Sequence, residues 1–447
     1  MSAPETWIGG LAAQSGFFGK HRALCGYAVR MGFAGVRVGF PLDTYAPDPS
    51  SDYAADPRPR EKRYLREAVR EVAQSGLKLL ALLAYGPRSD SAKWLSLNGG
   101  VPWTFPAVPP AGTGNSLWLA MGDEYETMIA DIKRYWQYDG RDLADLTFQW
   151  WNEPGLGGGP GGCLFSTWSA QSTGFKTANP AGTWPSEFHD RNDLILPGVK
   201  AACLPCRLVG PCPNGSPGTD PITSVEIFEQ ELASMATSRD YWSEFDAVST
   251  NAYAVNTTGP TPPTLIEATQ PFIDRRTLGR RLYADLAFQR VFHIAARLRE
   301  EHQPYRDLPL WVTEHGNHLY SCGLTDANGN EWRNRPADQL ERGRCLREGV
   351  RRMRFLPGLE VLSVYTGQNK SNGEDAAEHT AWGLSSWDPA ERRGDYYGAS
   401  LAFKAGLAPQ VGVQPEGVAG VGAGDETALS SLARERKPRS SAWAVPA

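Results

Sequence analysis

The sequence lacks the long apolar run that a membrane-spanning helix needs. No uncharged stretch in it approaches the roughly 18 residues that cross a bilayer. Its opening residues, Met-Ser-Ala-Pro-Glu-Thr-Trp, have neither the basic nor the apolar region of a signal peptide. We therefore expect no membrane association, and the compartment stays open between the cytoplasm and a mature secreted form.

An excess of basic residues is also missing. Lys and Arg number 45 against 50 Asp and Glu, which gives a net charge of -5, and no basic run is dense enough to neutralise a phosphate backbone. This balance argues against nucleic acid as a partner. The 41% hydrophobic and 11% aromatic residues are typical of a globular protein with a sizeable core.

Cysteine is sparse, with 7 residues scattered along 447. A disulfide scaffold would need more. Cys203, Cys206 and Cys212 resemble half of a zinc site, but neither Cys163 nor the 7 histidines supply an obvious second ligand pair. One or two disulfides in long loops are the favoured alternative, and we expect neither a metal nor an organic cofactor.

Short apolar runs alternate with helical patterns along most of the chain. This order is typical of a parallel sheet with helices outside it. Eight runs predict an α/β fold, the closed (β/α)8 or TIM barrel. The predicted strands are 7–9, 35–40, 78–84, 146–151, 207–210, 245–250, 310–313 and 361–365.

Two of the intervening segments show a clear helical period. Each ends at a glycine, Gly76 or Gly140, where a helix C-terminal cap is expected. The apolar positions are Leu65, Ala68, Val69, Val72 and Ala73 in the first segment, and Tyr125, Met128, Ile129, Ile132 and Trp136 in the second.

Segments rich in Gly, Pro, Ser and Asn follow three of the predicted strands. They cover residues 85–120, 154–206 and 317–338 and predict long loops, from which barrels build their active sites. We predict one catalytic barrel over residues 1–405. Residues 406–447 have Trp443 as their only aromatic and predict a low-complexity, disordered tail.

Two predicted strands end on a glutamate in a polar setting. Asn152-Glu153-Pro154 closes the fourth strand and Glu314-His315-Gly316 closes the seventh. Pro154 cannot donate to a sheet ladder, so Asn152 and Glu153 both face the site only where the pleat breaks. The tripeptide alone also fits a plain strand-to-loop turn. The pair, however, is what glycoside cleavage needs, one protonated carboxyl group and one ionised carboxylate.

Other polar residues are predicted at the same end of the barrel. Arg37 ends the second strand, and Asn251 and Tyr253 end the sixth, where each could hydrogen-bond a carboxylate or a sugar. A rim salt bridge for Arg37 and core packing for Tyr253 are the alternatives. His315 and His318 flank Glu314 but fit structural, hydrogen-bonded histidines better than groups that tune its ionisation.

Aromatic residues supply candidate platforms for a sugar ring, because pyranose CH groups pack well on a flat aromatic face. Most of the 15 Trp are expected in the core. The candidates for the cleft are Tyr85, Trp150, Trp151, Trp311 and Trp382.

These strand ends resemble those of glycoside hydrolase clan A, the (β/α)8 enzymes that include cellulases, mannanases and xylosidases. The resemblance extends from residue 1 to about 405. It implies that Glu153 is the general acid/base, that Asn152 binds the sugar 2-hydroxyl, and that Glu314 is the nucleophile. It further implies that Arg37 and Tyr253 contact the nucleophile. Strands five and six also resemble those of the β-xylosidase-like family thirty-nine and its bacterial exopolysaccharide hydrolases.

Two departures from the clan affect the substrate. The clan commonly has a Trp at the end of strand eight, where this chain has Tyr365, so the platform is expected from Tyr365 or Trp382. The β-sandwich of many family thirty-nine members has no counterpart in the short tail.

The resemblance implies a retaining glycosidase that cleaves a β-linked glycan, with carbohydrate as its partner. A catalytically silent carbohydrate-binding barrel and a transglycosidase remain alternatives. The sugar, the linkage and the oligomeric state stay open.

Overall fold

The computed structural model describes most of the barrel and part of its helical layer. The described residues are 4–13, 19–42, 60–84, 116–151, 184–210, 244–251, 308–316 and 358–365, with single helical positions at 347, 350 and 353. The predicted tail, residues 406–447, lies outside these ranges and stays a prediction. No helix among the described residues is long and apolar enough to cross a membrane.

Eight strands form one sheet in which every described pairing is parallel. The strands are β1 (Glu5–Ala12), β2 (Gly35–Pro41), β3 (Lys78–Ala84), β4 (Leu146–Trp150), β5 (Arg207–Val209), β6 (Val248–Asn251), β7 (Leu310–Gly316) and β8 (Leu359–Tyr365). Their spatial order is β5-β4-β3-β2-β1-β8-β7-β6. A parallel bridge between Val209 and Ala247 joins β5 to the start of β6 and closes the sheet. The predicted (β/α)8 barrel is confirmed.

Four α-helices have both ends in the described part of the chain. They are α1 (Lys20–Met31), α2 (Arg60–Ser75), α3 (Ser116–Tyr138) and α4 (Trp184–Cys203). The apolar positions predicted for α2 and α3 are all buried, at 4% exposure or less. Gly76 and Gly140 follow these helices with φ of 77° and 74°, a backbone conformation that favours glycine.

The prediction of a loop over residues 154–206 is wrong for its second part, where α4 begins at Trp184 and continues to Cys203. Pro197 lies inside this helix and Gly198 follows it, and both residues normally argue against a helix interior. Tertiary packing outweighs them, because Ile195, Leu196 and Val199 are buried at 3% exposure or less and α4 packs along α3.

Alternate strand residues pack into two separate cores, as the two-residue period of a strand requires. The outer core lies between the sheet and the helices and includes Val36 and Val38 of β2 and Leu146, Phe148 and Trp150 of β4. The inner core fills the barrel near the amino ends of the strands. Its members are Trp7, Leu80, Val209, Ala247, Trp311 and Val361.

Charged residues close the amino end of the barrel beneath this inner core. The indole Nε1 of Trp7 donates to Glu5 at 2.9 Å, and that of Trp311 donates to Glu360 at 3.1 Å. Each carboxylate is also ion-paired, Glu5 with Lys78 at 2.6 Å and Glu360 with Arg207 at 2.8 Å. The amino end is therefore a packed floor, which leaves the carboxyl ends of the strands to form a site.

Candidate active site

Arg37 and Glu314 form a buried ion pair inside the barrel. The guanidinium Nη1 of Arg37 donates to Oε1 of Glu314, and the two residues are 4% and 6% exposed. Strands β1 and β8 lie between β2 and β7 in the sheet order, so this bond crosses the interior instead of joining adjacent strands. The alternative of a salt bridge at the exposed rim does not fit this burial.

Glu314 faces the interior because β7 has a bulge. Against β6, Thr250 pairs with Val312 but the next residue, Asn251, pairs with Glu314. Against β8 the register slips again between Val312 and His315. Regular alternation from the inward Trp311 would turn Glu314 outward, and the extra residue reverses this. Bulges of this kind commonly re-aim a side chain beside an active site.

Arg37 is held from its other side by Gln149 of β4. The guanidinium Nε donates to Oε1 of Gln149 at 2.8 Å, and Nε2 of Gln149 donates to Oγ of Ser249 at 3.5 Å. Ser249 in turn donates to the carbonyl of Gly210 at 2.7 Å. Gln149 and Ser249 are both 0% exposed, so a layer of polar side chains crosses the barrel above the inner core.

Asn251 ends β6 beside Glu314. Its Oδ1 accepts from the hydroxyl of Thr313 at 2.9 Å, and the same hydroxyl lies 3.3 Å from the carbonyl of Thr250. The bond from Thr313 fixes the amide oxygen of Asn251 and so orients the side-chain amide. Asn251 is fully buried.

The extended conformation of β4 ends at Trp151, whose φ is 55°. Its backbone N–H still donates to the carbonyl of Leu83 at 2.9 Å. A positive φ is costly for a bulky residue, of order 1–3 kcal/mol, and such strain occurs often at functional sites. The pleat therefore breaks directly before Asn152 and Glu153 in the sequence.

The structure brings together several of the predicted site residues. Arg37 and Glu314 form the buried ion pair, and Asn251, which is also buried, is in register with Glu314 on the neighbouring strand. Tyr365 ends β8 in a half-buried position and is paired in register with Gly9 and Gly316.

Three tryptophans predicted for the cleft lie elsewhere, and the first of them, Trp150, is 0% exposed in the outer core. Trp311 is the second residue of β7 and belongs to the floor, 3% exposed against Trp7. Trp151 is 0% exposed, and its ring packs on Tyr125 of α3 and on Trp150, with centroids 6.4 and 5.7 Å apart. None of the three rings lies in an open cleft. The other predicted site residues lie outside the described ranges, namely Tyr85, Asn152, Glu153, Tyr253 and Trp382.

Sequence reasoning missed Gln149, Ser249 and Thr313. The signal for them was present in the strand period. On β4 the apolar residues Leu146, Phe148 and Trp150 leave Thr147 and Gln149 on the opposite face, and a polar face of a barrel strand must lie inside.

The cysteines of the described residues are free thiols. Cys25, Cys203 and Cys206 are buried and form no disulfide with one another. Burial raises the pKa of the Cys206 thiol to about 11 and that of the Cys203 thiol further still. Within the described ranges, no group of three or more His, Cys, Asp or Glu side chains could hold a metal ion.

The fold is similar to those of solved glycoside hydrolases. GH5_18 from Streptomyces cattleya, solved with GlcNAc, has a TM-score of 0.53 and 14% identity over 91% of this chain and 80% of its own. A family 39 glycoside hydrolase from Bacteroides cellulosilyticus also has a TM-score of 0.53 and 14% identity, over 90% of this chain and 63% of its own. GH5_18 from Bifidobacterium longum has a TM-score of 0.52 and 13% identity, over 93% of this chain and 82% of its own.

The likeness shows the fold. At these identities it confirms the (β/α)8 barrel and agrees with the resemblance to clan A, whose families 5 and 39 supply these neighbours. No protein-family model and no curated protein matches the sequence.

Proposed function

We propose that this protein is a retaining glycoside hydrolase that cleaves β-glycosidic bonds of an oligo- or polysaccharide. Glu314 is the nucleophile and Glu153 is the general acid and then the general base. The observation that carries the proposal is the buried pair of Arg37 with Glu314 inside the barrel. No metal or organic cofactor takes part.

The surroundings of Glu314 suit a nucleophile. Arginine stays protonated in proteins and donates from a rigid fork, so it fixes both the charge and the direction of a bonded carboxylate. The bulge in β7 turns that carboxylate inward, and Asn251 on β6 is in register with Glu314. A buried, oriented anion is what attack on an anomeric carbon requires.

The reaction then follows two steps. In the first, Glu153 gives its proton to the leaving oxygen while Glu314 attacks the anomeric carbon, and a covalent glycosyl-enzyme forms. In the second, Glu153 takes a proton from water as the water oxygen attacks the anomeric carbon and the bond to Glu314 breaks, which releases the sugar with its original anomeric configuration. A transglycosidase differs only in that a sugar hydroxyl replaces this water.

The substrate is a β-linked glycan, with Tyr365, Asn152, Tyr253 and Trp382 proposed as further contacts. Among the neighbours, GH5_18 of Bifidobacterium longum was solved as a variant with Manb1-4GlcNAc. That disaccharide therefore belongs in a first substrate panel, beside chromogenic β-glycosides and bacterial surface polysaccharides.

Trapping of the covalent intermediate tests the proposal. The purified protein is screened on the panel, and the sugar that it cleaves is then supplied as its 2-deoxy-2-fluoro glycoside, which forms the intermediate faster than it is hydrolysed. Peptide mass spectrometry should find the added sugar on Glu314. Glu314→Gln should carry none, whereas Glu360→Gln, a carboxylate change at the barrel floor, should be labelled like the wild type. Binding without cleavage or label would instead support a silent carbohydrate-binding barrel.

A further inference from the structure

Gln149 occupies a position from which it controls the direction of Arg37. The side chain is 0% exposed on β4, and its Oε1 accepts the Nε hydrogen of Arg37 at 2.8 Å. The guanidinium is planar, so a bond that fixes Nε also fixes the plane in which Nη1 points to Glu314. Gln149 itself is not in hydrogen-bond contact with Glu314.

The orientation of the Gln149 amide is set by Ser249. A serine hydroxyl has one hydrogen, and that of Ser249 is directed at the carbonyl of Gly210 at 2.7 Å. Its oxygen can then only accept, so the group of Gln149 that faces it at 3.5 Å is the NH2. The amide oxygen is thereby turned to Arg37.

Gly210 anchors this chain of hydrogen bonds to the backbone where the barrel closes. Its N–H donates to the carbonyl of Ala247 at 2.9 Å, beside the bridge between Val209 and Ala247. Every donor from Arg37 to Gly210 points the same way, an arrangement in which each hydrogen bond polarises the next. The anchor is rigid because it belongs to the closed sheet.

Gln149 is uncharged, which affects how Arg37 interacts with Glu314. A glutamate would accept the same Nε hydrogen but would add a second carboxylate to the guanidinium that Glu314 uses. Like charges that share one partner disfavour the ionised form of each other. A glutamine supplies the acceptor without this competition.

We propose that Gln149, oriented by Ser249, is a positioning residue that aims Arg37 at the nucleophile Glu314 without placing a second carboxylate on the same guanidinium. This inference rests on the proposed function for its catalytic consequence. Its structural consequence, the direction of the guanidinium, does not depend on activity.

Three variants and one control test it. Gln149→Met keeps the length of the side chain without the amide, Gln149→Glu keeps the acceptor but adds charge, and Ser249→Ala frees the amide to turn. Thr147→Val is the control, because Thr147 is also buried on the inner face of β4 but lies one layer lower, at 5% exposure.

We expect Gln149→Met to lower kcat by up to about 100-fold through misalignment of the nucleophile, with KM within about twofold of wild type. Ser249→Ala should give a smaller loss of the same kind, and it serves as the test if Gln149→Met does not fold. Gln149→Glu should retain more kcat than Gln149→Met does. In its pH profile, the acid limb of kcat/KM should move up by about one pH unit. Thr147→Val should leave both parameters and the pH profile unchanged.

The crystal structure of Gln149→Met, or of Ser249→Ala, gives the deciding observation. Rotation of the Arg37 guanidinium away from Glu314 supports the proposal even if no substrate is found, in which case only the proposed function fails. The proposal would be overturned if the Arg37 guanidinium does not move or if kcat stays at its wild-type value. It would also be overturned if Thr147→Val loses as much kcat as Gln149→Met.

Discussion

Trp7 and Trp311 meet edge to face inside the barrel, with ring centroids 5.5 Å apart and planes at 64°. Both indoles donate to carboxylates of the floor, and Arg207 lies over the Trp311 ring at 5.3 Å. Trp311 and Glu314 are three residues apart in one strand yet serve opposite ends of the barrel. One end is closed by packing, and the other carries the buried ion pair.

Replacement of Trp311 should therefore weaken the fold without weakening substrate binding. Trp311→Leu removes a buried ring and its hydrogen bond, and we expect a loss near the lower end of the about 3–5 kcal/mol that Trp→Ala changes cost in cores. The urea midpoint measures this loss. Tyr365→Leu, at the carboxyl end of β8, should show the opposite, a raised KM with little change of the urea midpoint. A raised KM for Trp311→Leu at unchanged stability would place Trp311 in the cleft.

The ion pair of Arg37 with Glu314 should show strong coupling in a double-mutant cycle. Arg37→Met alone leaves a buried carboxylate without its partner and should cost about 3–5 kcal/mol of unfolding free energy. The double variant Arg37→Met/Glu314→Gln should cost less than the sum of the single changes, because no unpaired charge is left.

The control for this cycle is the partly exposed pair of Lys200 with Asp246, at 2.6 Å. Its coupling should stay below about 1 kcal/mol, as for most pairs that water reaches. Equal coupling in the two cycles would show that burial does not strengthen the Arg37 pair.

The barrel could be predicted from the sequence because its signals are local. Strand β3 has the predicted bounds, and the buried stripes of α2 and α3 follow the apolar period residue by residue. Asn251 was identified at the strand end that it occupies, whereas Arg37, which was predicted to end the second strand, is the third residue of β2. Trp311 was misplaced because its neighbours in the sequence do not show which end of the barrel it occupies. Gln149 and Ser249 were missed because their roles depend on pairing between distant strands.

Ionisation of Cys25 should lower the free energy of unfolding at alkaline pH. Burial raises the pKa of its thiol from 9.0 to about 12. The folded protein holds this proton longer than the unfolded chain does, so the contribution is complete below about pH 9 and is lost as the pH rises toward 12. Cys25→Ala should reduce the fall of the urea midpoint between about pH 9 and 12. An identical fall in both proteins would mean that the thiol ionises alike in the two states.

The carboxyl groups of Glu153 and Glu314 should lie about 5 to 5.5 Å apart, the spacing of retaining glycosidases. At this distance no room remains for a water between sugar and nucleophile, so Glu314 must attack directly. A crystal structure with a bound sugar measures the separation. A value near 9 Å would favour inversion and contradict the double displacement.

Azide should distinguish the two glutamates by the anomer that each variant releases. Glu153→Ala should still form the α-linked intermediate from aryl β-glycosides whose phenolate leaves without protonation, and azide should then attack to give a β-glycosyl azide. Glu314→Ala has no nucleophile, so azide should displace the leaving group directly and give an α-glycosyl azide. Proton NMR of the products identifies the anomers. Exchanged products would reverse the two roles, and a lack of rescue in both variants at wild-type folding would remove the catalytic assignment.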